Sequence, residues 1–348
     1  MKGLLLFAIV LLFLVIGRAI LIPLLVAIFL WYLINAIATY LRRIMPWNTP
    51  DARKRAPLIA TITDWTSVAL AAAILVGFGY LFATQVRPMY SELMTALPAL
   101  QQKLTDAGHY LSGMLGFDFN ADMIPNITRI AASVGAALAG IATSIGMILI
   151  YMVFMFLEQR TFNKKFDAMF PNKSRAKKMR YIVNSIDANM KRYLFIKTAI
   201  SASTAIASYI WLNAIGLEFA GIWAFIVFVA NYIPTIGSIV ACGLTIVFAL
   251  ITAPTLHMPI LTAAGMIGIQ IIFGNLIEPR LTGRTLNLST LAILINLVFW
   301  GMIWGVAGMF FSVPLLVAVF VITAQFDSTR PIAVLLSADG KIPDKSED

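Results

Sequence analysis

Residues 288–326 read LSTLAILINLVFWGMIWGVAGMFFSVPLLVAVFVITAQF, and none of them carries a charge. A helix needs only about 20 predominantly apolar residues to cross a bilayer. This stretch is longer, and it divides into two apolar runs on either side of the small residues in Gly301–Gly308. We therefore predict a helical hairpin in a membrane, with its turn at 301–308.

The composition extends this prediction to the whole chain of 348 residues. Sixty per cent of the residues are hydrophobic, 12% are charged, and the mean hydropathy is +0.87. Soluble domains are nearer 45–50% apolar and about 25% charged, because roughly half of a folded surface must face water. The composition excludes a soluble enzyme. It predicts a single all-α polytopic membrane domain over 1–348, with about 7–10 membrane helices or half-helices.

The lengths of the remaining apolar runs predict further membrane segments. Two further hairpins, full or re-entrant, are predicted at 4–41, with Arg18 near its tip, and at 220–252. Single spans are predicted at 57–83, 132–157, 193–213 and 259–277. The less hydrophobic segment 84–132 has leucines at helical spacing and is predicted to be an amphipathic insertion. Segment 158–192 is basic and amphipathic, and 327–348 forms a short polar tail.

The positive charge is concentrated next to apolar spans. Eleven of the 26 lysines and arginines lie between Arg160 and Lys197, and five more lie in 42–55. Basic loops of this kind face the cytoplasm. Both segments are therefore predicted to be cytoplasmic, as are the two termini, with 84–132 outside. The net charge of +10 is thus explained by basic residues beside membrane spans. No nucleic-acid partner is expected.

Sequence motifs for catalysis and metal binding are missing. Cys242 is the only cysteine, and His109 and His257 are far apart, so no metal site built from nitrogen and sulfur ligands is expected. The chain lacks the phosphate-binding loop of ATPases and the H-E-x-x-H pair of metalloproteases. We therefore expect no cofactor, no use of ATP and no enzymatic activity.

Two segments interrupt apolar helices with proline and glycine, at 231–237 and at 278–283. Such breaks are tolerated at membrane depth only where they are buried in protein or line a wet cavity, and paired breaks point to a transport site. Interfacial turns are the alternative. The break at 231–237 is predicted to supply unwound backbone and the amide of Asn231. The break at 278–283 is predicted to supply Glu278 and Arg280 as a gating or substrate-orienting pair. The predicted transport path comprises Asn231, Pro234, Gly237, Gln270, Asn275, Glu278, Arg280 and Gly283.

Four charged side chains, those of Asp64, Lys197, Arg280 and Arg284, lie in or beside apolar spans. Asp64 lies seven residues into its span and is either a coupling site for a proton or cation, together with Glu278, or an interfacial carboxylate. Lys197 is expected to extend toward the cytoplasmic surface. Arg280 and Arg284 either pair with Glu278 or mark the cytoplasmic interface.

Several motifs resemble those of the autoinducer-2 exporter family, also known as PurR-regulated permeases. They are Tyr193-Leu194 with Lys197–Ser201, Asn231–Pro234 with Ile236–Ser238, Phe273–Asn275, Glu278–Arg280, Leu288–Leu291, Phe299–Gly301 and Ser312–Leu315. The resemblance implies a bacterial inner-membrane secondary transporter that exports the small polar signal autoinducer-2 by alternating access. It also implies a homo-oligomer, with a pentamer favoured.

Two other functions remain open at this level. One is sodium (or lithium)/proton antiport, which other members of the family resemble, with Glu278 or Asp64 as the titrating carboxylate. The other is a membrane scaffold or sensor that transports nothing and binds partners through its extramembrane segments.

The topology predicts which positions an impermeant thiol reagent reaches. In a Cys242→Ala background, Ser112→Cys should react in intact cells because 112 lies in the outer insertion. Ser174→Cys should react only after permeabilisation, because it lies in the basic cytoplasmic segment. Labelling of Ser174→Cys in intact cells would contradict the topology.

Overall fold

The computed structural model describes residues 2–44, 144–159, 161–253, 255–282 and 287–342, together with scattered residues between 77 and 98. Within these residues every regular element is a helix. The helices are α1 (Lys2–Ile16), α2 (Arg18–Ile44), α3 (Ser144–Gln159), α4 (Phe162–Met169), α5 (Lys173–Ala214), α6 (Ala220–Ala230), α7 (Ile236–Thr252), α8 (His257–Gln270), a π-helix (Ile271–Ile277), α9 (Glu278–Thr282), α10 (Thr290–Ala324) and α11 (Arg330–Leu336).

The chain divides into two compact units. The first contains Met1–Ile74, Ile145–Ile200 and Ile277–Asp348, and the second contains Leu75–Ser144 and Ser201–Leu276. Helix α5 contributes its N-terminal part to the first unit and its C-terminal part to the second. Each unit is described below on its own.

Four helices in the described residues are long and apolar enough to cross a bilayer. They are Arg18–Asn35, Lys173–Ala214, His257–Leu281 and Thr290–Ala324, with mean hydropathies from 1.2 to 2.4 over the best window. Helix α5 joins the predicted basic segment and the following span in one continuous helix of 42 residues. The predicted all-α, polytopic membrane architecture is confirmed.

Helices α6 and α7 form the hairpin predicted at 220–252. Residues 231–235 between them are not helical, and α6 has only 11 residues. At 1.5 Å per residue α6 is about 16 Å long, half of the roughly 30 Å hydrocarbon core. The length of α6 therefore favours a re-entrant hairpin rather than a fully spanning one.

The turn of this hairpin is strained at Thr235. Its φ of 61° and ψ of −55° are unusual for a β-branched residue. The Ile236 N–H donates to the Pro234 carbonyl oxygen at 2.6 Å, which makes a three-residue γ-turn of the rare, strained hand. Such a conformation persists only where the surrounding structure holds it.

Helix α10 contains the second confirmed hairpin. Gly305 has φ 62° and ψ −139°. Residues other than glycine rarely adopt this backbone conformation. The two arms meet across this break, because the Asn296 Nδ2 donates to the Ser312 carbonyl oxygen at 2.6 Å. In a straight helix these residues would be about 24 Å apart. The predicted turn at 301–308 is correct.

The tight hairpin predicted at 4–41 is wrong. Gly17 is the only residue between α1 and α2, and helical hydrogen bonds continue across it. Its N–H donates to the Phe13 carbonyl at 2.8 Å, and its carbonyl accepts from the Leu21 N–H at 2.9 Å. A helical hairpin needs a loop of about 2–5 residues. The prediction of a cytoplasmic N-terminus loses its basis, because it requires the chain to reverse near Arg18 and return to the side of Lys2.

The tail is folded where the structure describes it. Ala333 of α11 packs against Phe320 and Ala324 at the end of α10. The Ser289 N–H donates to the Leu336 carbonyl at 2.8 Å. The tail therefore joins the beginning and the end of the α10 hairpin.

Most of the predicted insertion 84–132 lies outside the described residues, but its first part belongs to the second unit. Met89 packs in the core of that unit. Partial burial and a hydrogen bond with Glu218 raise the pKa of Glu92 above its usual value. This interaction brings the start of the insertion to Glu218, in the loop between α5 and α6. The side of the membrane that the insertion faces stays a prediction.

The close contact at the start of α7 makes a testable prediction. A Cβ at Gly237 would collide with the Ala230 carbonyl oxygen, whereas one at Gly243 would meet open space. Gly237→Ala should destabilise the protein by about 1–3 kcal/mol, as overpacking does. Gly243→Ala should stabilise the same helix by about 0.5–1 kcal/mol. The measurement is the melting temperature in detergent, and equal values for the two variants would contradict the close contact.

Candidate transport site

A partly buried ion pair lies in the first unit. The Nζ of Lys197 on α5 pairs with the Oε1 of Glu278 at the start of α9, across a sequence separation of 81 residues. The side chains are 7% and 27% exposed, respectively. Lys197 therefore turns inward to a carboxylate, and the expectation that it extends to the cytoplasmic surface is wrong.

The membrane provides the physical reason for this pairing. A lone charge near the centre of a membrane helix costs about 2.5–3.5 kcal/mol even on the lenient insertion scale. Lys197 follows four residues of an apolar run, and Glu278 ends another. Each charge removes most of the other's cost when the two meet within the protein.

The predicted pair of Glu278 and Arg280 is not formed. Both residues belong to α9, and helical residues two apart do not face each other. Arg280 is exposed, as the interfacial interpretation of this residue expects. Gly283 and Arg284 lie outside the described residues, as does Asp64.

The helix before Glu278 is wider than an α-helix. Residues Ile271–Ile277 form a π-helix, a rare element that is frequent at functional sites. Pro279 supplies a physical reason, because its ring lacks an N–H and would clash with the carbonyl four residues earlier in a regular α-helix. The backbone expected to be unwound here is thus widened instead. Gln270 lies against Gly274, and Asn275 is exposed.

The break in the second unit carries a buried amide. The Nδ2 of Asn231 donates to the Oγ of Ser201 at 3.3 Å, and these residues are 4% and 0% exposed. The predicted unwound backbone is present at 231–235, with Pro234 half-buried in it. Gly237 allows α7 to approach α6 closely, because a Cβ there would collide with the Ala230 carbonyl oxygen.

The structure thus divides the predicted path between the two units. Glu278 and Arg280 belong to the first, and Asn231, Pro234, Gly237, Gln270 and Asn275 belong to the second. Sequence reasoning missed Lys197 as the partner of Glu278 and Ser201 as the partner of Asn231. The available signal was a lysine inside an apolar run, followed four residues later by a serine on the same helical face.

Comparison with known proteins identifies the family. The family model "AI-2E family transporter" matches residues 4–327. The chain is 31% identical to the AI-2 transport protein TqsA of Escherichia coli K12, over 91% of this chain and 89% of that protein. It is 34% identical to a putative transport protein of Haemophilus influenzae over 57% of each chain. It is 26% identical to the putative transport protein YhhT of E. coli K12, over 85% and 82% of the two chains. The chain belongs to the AI-2E transporter family.

Proposed function

We propose that this protein is a secondary transporter that exports autoinducer-2 across the bacterial inner membrane. The observation that carries the proposal is 31% identity to an AI-2 transport protein along 91% of the chain. The two broken hairpins give the similarity a physical counterpart, because simple anchoring helices have no need of interrupted backbone in lipid. The absence of a phosphate-binding loop in the sequence supports transport without ATP hydrolysis.

Alternating access around the broken helices is the proposed mechanism. The first arms of the hairpins, α6 and the part of α10 before Gly305, are shorter than a full span. Their turns would therefore lie within the membrane, where each can face a polar path. The strained turn at Thr235 is a point at which the α6–α7 hairpin can change conformation, since strained backbone is often found in switching segments.

The ion pair is proposed to gate the path. Lys197 and Glu278 together have no net charge. A neutral solute can therefore pass them without a compensating ion. The ammonium donates hydrogen bonds and the carboxylate accepts them. A polyhydroxylated solute supplies both kinds of partner, and it can replace each member of the pair while the gate is open.

Cation/proton antiport is the second candidate, because Glu278 is a carboxylate within an apolar region. Its pairing with Lys197 weighs against this role, because protonation of Glu278 would leave a buried ammonium without its partner. Flux of autoinducer-2 in the absence of sodium and pH gradients would separate the two functions.

We propose a side of the membrane for the C-terminus but not for the N-terminus. The C-terminus is proposed to be cytoplasmic, because the α6–α7 and α10 hairpins both return the chain to the side it left. The side of the N-terminus is left open by the helical connection at Gly17. A homo-oligomer, with a pentamer favoured, remains a prediction from the family resemblance.

The ion pair predicts a specific pattern of lost and retained transport. Glu278→Gln and Lys197→Met should each reduce uptake of labelled autoinducer-2 into inverted vesicles at least about tenfold. Glu278→Gln should also lower stability by about 3–5 kcal/mol, because Lys197 remains buried without its partner. Lys197→Met should lower it by less, because Glu278 is 27% exposed. Arg280→Gln, two residues from Glu278 but exposed, should transport normally at matched membrane abundance.

A double variant distinguishes a gate from a purely structural pair. Lys197→Met with Glu278→Leu replaces both charges by apolar side chains, which is often neutral or stabilising. We expect its melting temperature to return to the wild-type value while transport stays lost. Wild-type flux in this double variant would show that the pair only holds the fold together.

A further inference from the structure

A strongly basic segment of the first unit comprises the end of α3, all of α4 and the first two turns of α5. Between positions 158 and 180 the sequence has eight lysines and arginines but only two acidic residues. The positive-inside rule accounts for the number of these cations beside membrane spans. Their arrangement in the structure shows whether they form one surface.

Arg180 of α5 holds α4 against α5. Its guanidinium donates to the carboxylate of Asp167 and, at 3.4 Å, to the side-chain oxygen of Asn163. It also lies 5.1 Å from the ring centroid of Phe166, within the usual distance of a cation–π contact. Phe166 itself is buried. The cations of α4 and of the first turns of α5 are therefore parts of one folded surface.

The first turn of α5 is fixed by a side-chain cap. The Oδ1 of Asn172 accepts from the backbone N–H groups of Ser174 and Arg175, at 3.0 and 3.3 Å. Such a cap satisfies N–H groups that have no partner within the helix. Lys173, Arg175 and Lys177 are all exposed. An ordered helix end thus holds three cations at the surface of the protein.

Contacts place this surface beside the ends of two apolar runs. Lys165 of α4 pairs with Glu158 in the last turn of α3. The Nζ of Lys178 lies 5.3 Å from the ring centroid of Phe326, the residue at which the apolar run 288–326 ends. An apolar run ends where the hydrocarbon of the bilayer meets the headgroups. The cations of α4 and the start of α5 are therefore at headgroup level.

Helix α4 has the direction and composition of an interfacial helix. It leaves α3 at an angle of 67°. Because spans tilt by only about 20° on average from the membrane normal, α4 runs closer to the membrane plane than to the normal. Phe162 and Met169 are 49% and 69% exposed, and Lys164 is on the opposite side of the helix. Exposed apolar residues opposite a cation are typical of helices that lie among lipid headgroups.

We propose that residues 162–180 form a basic surface that binds the anionic headgroups of phospholipids. The two acidic residues of the segment, Glu158 and Asp167, are already paired with Lys165 and Arg180. Ammonium and guanidinium groups donate strong hydrogen bonds to phosphate oxygens, and a cluster of cations beside a membrane helix attracts anionic lipid. Four exposed cations supply this charge: Lys164, Lys173, Arg175 and Lys177. The inference does not depend on the proposed export function.

Lipid titration of the full-length protein tests the proposal. Protein in detergent micelles is titrated with dioleoylphosphatidylglycerol or with dioleoylphosphatidylcholine, and the melting temperature is measured. A ligand that binds only the folded state raises this temperature, so the anionic lipid should raise it by at least about 3 °C and the zwitterionic lipid by less than about 1 °C. The rise should fall by more than about half between about 50 mM and about 500 mM NaCl, because salt screens exposed charges. Equal rises with the two lipids would overturn the proposal.

Paired substitutions locate the binding surface. Lys173→Gln with Lys177→Gln removes two exposed cations one helical turn apart, and it should lose at least about half of the rise with anionic lipid. Lys173→Arg with Lys177→Arg should keep the rise, because a guanidinium also binds phosphate. Arg280→Gln with Lys341→Gln is the matched control, since it removes the same charge from exposed residues elsewhere in the first unit.

The control variant should keep the full rise. Without anionic lipid, all three double variants should melt within about 2 °C of the wild type, because exposed substitutions rarely change stability. A full rise in the Lys173→Gln, Lys177→Gln variant, or an equal loss in the control, would overturn the proposal.

Soluble anions separate a lipid surface from a site for small anions. Inorganic phosphate and glycerophosphoglycerol, which is the headgroup without acyl chains, are added at the concentration of the lipid. Each should raise the melting temperature by less than about 1 °C, because neither brings together many headgroups beside the cations at once. A rise equal to that with dioleoylphosphatidylglycerol would indicate a small-anion site and overturn the lipid surface.

Discussion

Lipid offers no hydrogen-bond partners, and this constraint governs the described structure. Every backbone N–H and C=O at membrane depth must find a partner within the protein, so the described residues fold into helices. Two departures from regular helix lie inside predicted hairpins, at 231–235 and at Gly305. In both hairpins a glycine just past the turn lets the returning helix lie against a carbonyl of the first arm, with Gly237 at Ala230 and Gly308 at Trp300. The returning arm thereby covers the backbone at the turn.

The same constraint applies to side chains. Lys197 is paired with Glu278, and Asn231 is bonded to Ser201. Thr245 returns its hydroxyl to the Ala241 carbonyl of its own helix. Against this background of satisfied polar groups, Ser208 and Trp223 are exceptional, because their polar atoms have no partner among the described residues.

The described residues of the predicted path in the second unit are uncharged, and in the first unit Glu278 is paired with Lys197. This arrangement fits a neutral solute better than a cation, which would be expected to need carboxylates or several carbonyl oxygens as ligands. The π-helix before Glu278 and the strained Thr235 turn both sit next to predicted path residues. In each unit, irregular backbone thus lies next to polar side chains of the predicted path.

The sequence by itself determined the class of protein and the positions of two turns. Apolar length and composition are local properties, and the glycine and proline residues at 231–237 and the glycines at 301–308 lie where the structure has its two breaks. The same local reasoning failed at Gly17, because a glycine followed by an arginine signals a turn but does not break helical hydrogen bonds.

Only the tertiary structure decided the partner of each polar group. Glu278 meets Lys197 across 81 residues, and no local rule selects one distant cation over a nearby one. The nearby candidate Arg280 was excluded by helical geometry, since residues two apart point to different sides. Which carbonyl, hydroxyl or charge a side chain reaches depends on how the helices pack.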